Sequence, residues 1–91
     1  MVEISSSVKP NIQQKMDKAG QAYSDDDYET AVRLYEEAIN LGATLSGNEN
    51  GCLGEAYHRI GNLDRAIRNY KKAVEKAPKK SEWWSNLGVA L

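Results

Sequence analysis

The chain has one cysteine, one histidine and two prolines, and no apolar run of any length. Each shortage removes a class of protein. A membrane-spanning helix takes about 20 consecutive, mostly apolar residues, and no stretch approaches that. The start, Met1-Val2-Glu3-Ile4, has neither the basic opening nor the apolar core of a secretory signal. A single cysteine closes no internal disulfide, so Cys52 reads as a small apolar residue in a reducing compartment and a cytoplasmic location is expected. Cys52 and His58, six residues on, lie about 240° round a helix from each other, a separation of about 120°, on different faces and badly placed to act as nucleophile and base. Together they also fall short of the four ligands of a structural zinc site. The glycines stand singly, without the clustering of a phosphate-binding loop. No catalytic residue, metal or cofactor is therefore expected. With 12 basic and 13 acidic residues the net charge is −1, which argues against a globally basic nucleic-acid binder.

What is present is a repeat. Gly20-Gln21-Ala22-Tyr23, Gly54-Glu55-Ala56-Tyr57 and Gly88-Val89-Ala90-Leu91 begin 34 residues apart, twice in succession. A second phrase follows the first two: Ala31-x-Arg33-x-Tyr35-x-x-Ala38 and Ala66-x-Arg68-x-Tyr70-x-x-Ala73. A fixed period of this length marks a stack of like units, each too small to bury its apolar face alone.

The best-formed unit reads as two helices. Leu53, Gly54, Tyr57 and Ile60 fall at helical spacing, and Gly61-Asn62 signals a turn. Leu63, Ala66, Ile67, Tyr70, Ala73, Val74 and Ala77 then hold one face until Pro78 forbids continuation. Small residues at Gly54, Ala56, Ala66 and Ala73 let the axes approach, with Tyr57 and Tyr70 filling between them. Before this unit, a polar leader over residues 1–9 is expected to be disordered. A helix then begins near Pro10 and runs to about Ser24. Asp26 with Glu29 suggests a capping box for a helix from Tyr28 to Leu41, with Tyr28, Ala31, Val32, Tyr35, Ala38 and Ile39 inward. Gly42 and residues 45–51 read as a break. After Pro78, Ser81 is the expected N-cap of a fifth helix over Glu82 to Leu91.

Leu53-Gly54-x-x-Tyr57, Ala66-x-x-x-Tyr70, Ala73 and Pro78 resemble the tetratricopeptide repeat pattern W-x2-L-G-x2-Y…A-x3-F…P, with the same period. Asn50 replaces the opening tryptophan, which the third copy restores as Trp84-x-x-Leu87-Gly88. The first copy is one residue shorter between Tyr23 and Tyr28, and has Ala43 where proline is expected. The resemblance implies an all-α solenoid of antiparallel helix pairs with right-handed superhelical stacking. It would comprise a repeat over about 10–45, a second over about 47–80 and the first helix of a third over 81–91, together a repeat domain over residues 10–91.

The same resemblance implies a protein-interaction scaffold. With Leu53, Tyr57 and Ile60 inward, Asn48, Gly51, Glu55 and His58, with Arg59 beside them, form the opposite stripe of their helix. Steps of 34 add Gln14, Asp17, Gln21 and Ser24 on one side and Glu82, Ser85 and Val89 on the other. In the family such a stripe lines the groove where peptides lie. Chaperone-binding members clamp an acidic carboxyl terminus with lysine, asparagine and arginine. At the matching places this chain has Asp17, Gln21, Cys52, Glu82 and Asn86, so a neutral or basic partner is expected in preference to an acidic one. Two further readings stand beside this. An apolar last helix bearing Trp83, Trp84, Leu87 and Leu91 could self-associate. Less favoured is nucleic-acid binding through Arg65, Arg68, Lys72 and Lys76, because no aromatic is interleaved on that face. No membrane partner is expected.

Overall fold

A computed structural model describes the backbone of residues 2–91 and the side chains of residues 11–91. The leader expected to be disordered lies outside the residues described in full. Every described element is a helix: α1 (Val2–Ser24), α2 (Tyr28–Asn40), α3 (Gly47–Arg59), α4 (Leu63–Lys76) and α5 (Ser81–Ala90). They fall into two compact units, Met1–Thr44 with α1 and α2, and Leu45–Leu91 with the rest.

Three helix ends close in the same way. After α1, the Asp27 N–H reaches the Ala22 carbonyl and the Asp26 N–H that of Tyr23, with Asp26 at φ 63°. After α3, Asn62 bonds to Tyr57 and Gly61 to His58, with Gly61 at φ 92°. After α2, Ala43 bonds to Ala38 and Gly42 to Ile39, with Gly42 at φ 104°. Each is a Schellman closure, in which one left-handed residue lets two otherwise orphaned carbonyls be satisfied. The chain then reverses at once. Asp27 caps α2 by accepting from the Thr30 N–H at 3.4 Å, and Asn62 caps α4 by accepting from Arg65 at 3.2 Å. The capping box expected from Asp26 and Glu29 is therefore corrected: Asp26 is committed to the left-handed position and Asp27 is the cap. A full capping box occurs instead at Ser46 and Glu49, where each side chain accepts from the other's backbone N–H, at 3.1 and 2.8 Å. It starts α3 at Gly47, inside the stretch that reads from sequence as a break. Ser81, expected to cap α5, is its first helical residue, and Lys80 at the cap makes no side-chain bond.

In the first unit α2 packs back along α1. Lys15 on α1 pairs with Glu37 near the end of α2 at 2.8 Å, while Tyr23 and Tyr28 meet edge to face beside the turn. That lysine's hydrogen bond holds the Glu37 carboxyl below the usual range. The buried side of α2 is Ala31, Leu34, Tyr35 and Ala38. Leu34 belongs to it in place of Ile39, which is exposed, while Val32 and Tyr28 are half-buried.

In the second unit the start of α3 meets the end of α4. A Cβ added at Gly47 would lie 2.9 Å from that of Ala77, and the Lys76 ammonium donates to the Leu45 carbonyl at 2.7 Å. The end of α3 meets the start of α4, where the Arg65 guanidinium donates to the Tyr57 hydroxyl and lies 5.8 Å from that ring. Between them Tyr70 lies against Gly54, where a Cβ would stand 2.8 Å from the Tyr70 ring and 3.2 Å from the Ala66 carbonyl. The expected small residues, Gly54, Ala56, Ala66 and Ala73, are all buried at this crossing. Ile60 and Leu63 are not in the core: they flank the turn and are exposed, because the helix boundaries place them beyond the packed turns. Among the described residues, Asn50 and Asn69 are the buried polar side chains, and they face each other, Asn50 Nδ2 donating to Asn69 Oδ1 at 3.4 Å. Asn69 in turn donates to the Arg65 carbonyl at 2.9 Å.

α5 lies against this pair. The Trp83 indole occupies the space that a side chain at Gly51 would fill, and its Nε1 donates to Asn48 Oδ1 at 3.1 Å. Trp83 is 3% exposed, and Leu87 and Ala90 are buried on the same side. Trp84, one residue on, points about 100° away and is 51% exposed, with its Nε1 donating to the Pro78 carbonyl at 2.8 Å.

Candidate functional site

A half-open depression of about 480 Å³ lies in the second unit, lined by Glu55, His58 and Arg59 of α3, Tyr70 of α4, and Asn86 and Val89 of α5. Helical spacing puts Glu55, His58 and Arg59 on one face of α3, opposite the face that carries Leu53 and Ala56 inward. Gly54 lets Tyr70 lie close against α3, where its buried side chain brings the hydroxyl 3.4 Å from His58 Nδ1, with the two rings edge to face at 6.2 Å. Burial first, and then the Glu55 carboxylate, push the Tyr70 phenol up to about 12, so it stays a neutral donor and acceptor at neutral pH. Arg59 reaches Glu55 at 3.4 Å along the same helix. Asn86 is half-buried and its amide makes no hydrogen bond among the described residues. Beside it Val89 is 77% exposed. The site thus offers a carboxylate and an amide next to one apolar side chain, with the buried Tyr70 behind them.

Of the residues expected to form a groove, Glu55, His58, Arg59 and Val89 come together here. Gly51 does not belong: it is buried under Trp83, and Asn48 is engaged by the same indole. Glu82 and Ser85 are exposed on α5, outside the depression. Gln14, Asp17, Gln21 and Ser24 are exposed on α1 in the first unit, where Asp17 accepts from Gln13 and Gln21 donates to Asp25. Tyr70 and Asn86 are the lining residues that sequence reasoning missed. Tyr70 reads as filler between helices, and only its hydroxyl hints at more. Asn86 comes up only as a failed clamp position, although a polar amide three residues before an exposed valine is itself a signal.

The self-association set needs correction. Trp83 and Leu87 are buried inside the unit, which leaves Trp84 and Leu91 accessible. The basic stripe of α4 is partly engaged, since Arg65 is bonded to Tyr57 and Lys76 to the Leu45 carbonyl. Among the described residues no cluster of histidine, cysteine and carboxylates could hold a metal ion, and no helix is long and apolar enough to cross a membrane.

The family model described as "TPR repeat" matches residues 54–91. Photosystem I assembly protein Ycf3 of Prochlorococcus marinus is 33% identical over 64 residues, which is 70% of this chain and 34% of that protein. The chain belongs to the tetratricopeptide-repeat family. It spans about a third of the length of that curated relative. The repeat's signature positions have clear structural roles here. Leu53, Gly54 and Tyr57 are the buried side of α3, and Ala66, Tyr70 and Ala73 are the side of α4 that meets it. Such repeats are typically non-catalytic, and in these general terms the chain is a protein–protein interaction module.

Proposed function

We propose that the second unit holds an extended segment of a partner protein in the depression between α3 and α5, without chemistry of its own. The observation that carries this is the unbonded Asn86 amide beside exposed Val89. An amide can both donate to and accept from one peptide group of a bound strand, while the valine takes an apolar side chain. The partly buried Glu55 carboxylate favours a neutral or basic residue next to that contact and disfavours an acidic one. The curated relative's name describes an assembly protein. By analogy, the partner would be a protein subunit held while a complex is put together.

The test is calorimetric titration of the chain with short peptides in neutral, basic and acidic sets. Neutral or basic peptides should bind, and Asn86→Ala should weaken them about tenfold, the equivalent of roughly 1.4 kcal/mol. Glu55→Gln should reduce the preference for basic over neutral peptides. A tight complex with a peptide ending in consecutive acidic residues, abolished by Arg59→Ala, would overturn the reading.

A further inference from the structure

We propose that Asn50-Gly51 is a site of spontaneous covalent modification, shielded while α3 is closed and released when the start of that helix opens. The Gly51 backbone nitrogen then displaces the Asn50 side-chain nitrogen as ammonia, and the acid that results keeps the helix start from closing again.

Of the chain's asparagines only Asn50 is followed by glycine; the others precede Ile12, Leu41, Glu49, Leu63, Tyr70 and Leu87. The reaction requires the next backbone nitrogen to reach the asparagine Cγ, and glycine offers neither a side chain in the way nor a restricted backbone. A bond forms between the Gly51 nitrogen and Asn50 Cγ, and the bond from Cγ to Nδ2 breaks. Ammonia leaves with the proton that the Gly51 nitrogen gives up. Water then opens the five-membered imide at either carbonyl. One product has aspartate at position 50, and the other has isoaspartate, in which the main chain runs through the former side chain.

Closed, α3 prevents this. In a helix the Gly51 N–H points four residues back, toward the Gly47 carbonyl and away from the Asn50 side chain. The Trp83 indole occupies the space beside Gly51, so the peptide has no room to turn. Asn50 is 4% exposed, which keeps water away. Yet Gly47, Asn48, Asn50 and Gly51 are all poor helix formers. Three contacts hold them: the capping box of Ser46 and Glu49, the Lys76 bond to the Leu45 carbonyl, and the Trp83 bond to Asn48. Asn50 itself is loosely tied, with one 3.4 Å bond from Nδ2 to Asn69 and no hydrogen-bond partner for Oδ1 among the described residues. A helix start of this kind opens locally at lower cost than the unit unfolds.

The products do not fit the closed helix. Aspartate would bury a carboxylate and remove the donor to Asn69 Oδ1. Isoaspartate lengthens the main chain and breaks the helical spacing. The reaction is thus a one-way record of how often the start of α3 has opened.

The test incubates the full chain at physiological temperature and pH and follows the mass gain of amide-to-acid conversion, located by peptide mapping. In urea the gain should appear at Asn50 before any other asparagine. In buffer it should be slower by more than about tenfold, the factor that each 1.4 kcal/mol of closure confers. Ser46→Ala removes the cap and should speed the reaction in buffer about fivefold, while leaving the rate in urea unchanged. Glu49→Gln, a milder change to the same box, should speed it by less. Asp27→Ala removes the corresponding cap on α2 and should leave both rates unchanged. The modified chain, separated by charge, should melt at a lower temperature than the unmodified one. The proposal is overturned if the chain reacts at Asn50 as fast in buffer as in urea, or if neither capping-box variant speeds the reaction. It is also overturned if Asp27→Ala speeds it as much as Ser46→Ala, since the opening is then global, or if the modified chain melts unchanged.

Discussion

The two helix pairs, α1 with α2 and α3 with α4, carry the same phrases and pack them differently. The glycine phrase recurs after 34 residues but the alanine-tyrosine phrase after 35, because α3 has one more residue than α1 between its tyrosine and the turn. One residue is about 100° of helix rotation. In the second pair the tyrosine ring sits on the glycine, with a Cβ at Gly54 only 2.8 Å from Tyr70. In the first pair the corresponding atom at Gly20 would approach Tyr35 no nearer than 4.0 Å, and then only its hydroxyl. The turns, by contrast, are equivalent residue for residue: Asp26 and Gly61 take the left-handed position, and Asp27 and Asn62 cap the next helix. The spacing between phrases, more than the phrases themselves, decides which contact forms.

The sharpest way to break this comparison is the same substitution at both glycines. Gly54→Ala should destabilise the chain, because overpacking against Tyr70 and the Ala66 carbonyl costs roughly 1–3 kcal/mol and exceeds the gain in helix propensity. Gly20→Ala should stabilise it by about 0.5–1 kcal/mol, since only the propensity term remains. Urea unfolding measures both, and shifts of the same sign would show that the pairs pack alike. A smaller effect is expected in the turns. Gly61→Ala forces a side chain into the left-handed region and should cost roughly 1 kcal/mol. Asp26→Gly relieves that strain but forfeits the bond from the Tyr28 hydroxyl, so a change under about 0.5 kcal/mol is expected. The last effect is silent at neutral pH. The Tyr70 phenol is held at about 12 against an ordinary 10, so folding favours its protonated form. Its contribution is intact below pH 10 and is lost as pH rises from 10 through about 12. Trp83 fluorescence followed through alkaline unfolding should show this, and Tyr70→Phe should flatten that limb.

Much of the fold is legible in the sequence because the repeat supplies each reading twice. Gly61-Asn62 identifies a turn, and the same closure appears at Asp26-Asp27, where three aspartates obscure which one turns and which one caps. Pro78 and the small residues at Ala66 and Ala73 identify α4 and its packed side. Illegible was the start of α3, where two glycines and two asparagines within residues 47–51 look like a loop. Their use as helix depends on tertiary contacts: Gly47 against Ala77, Gly51 under Trp83, and Asn50 beside Asn69. For the same reason the accessible part of α5 could not be identified in advance. Adjacent tryptophans read alike until Gly51 is seen to receive one of them. The depression was half legible, since helical spacing groups Glu55, His58 and Arg59, but Tyr70 and Asn86 enter it from other helices.

The facing asparagines act as a label. A second helix with leucine in place of Asn69, laid on α3, would strand the buried Asn50 amide, and each unsatisfied buried polar group costs about 1–3 kcal/mol. The pair thus favours, on α3, a helix that carries asparagine at that place over one that does not. Exchanging Asn50 for the tryptophan of the family pattern would erase that distinction and leave Asn69 without its facing amide.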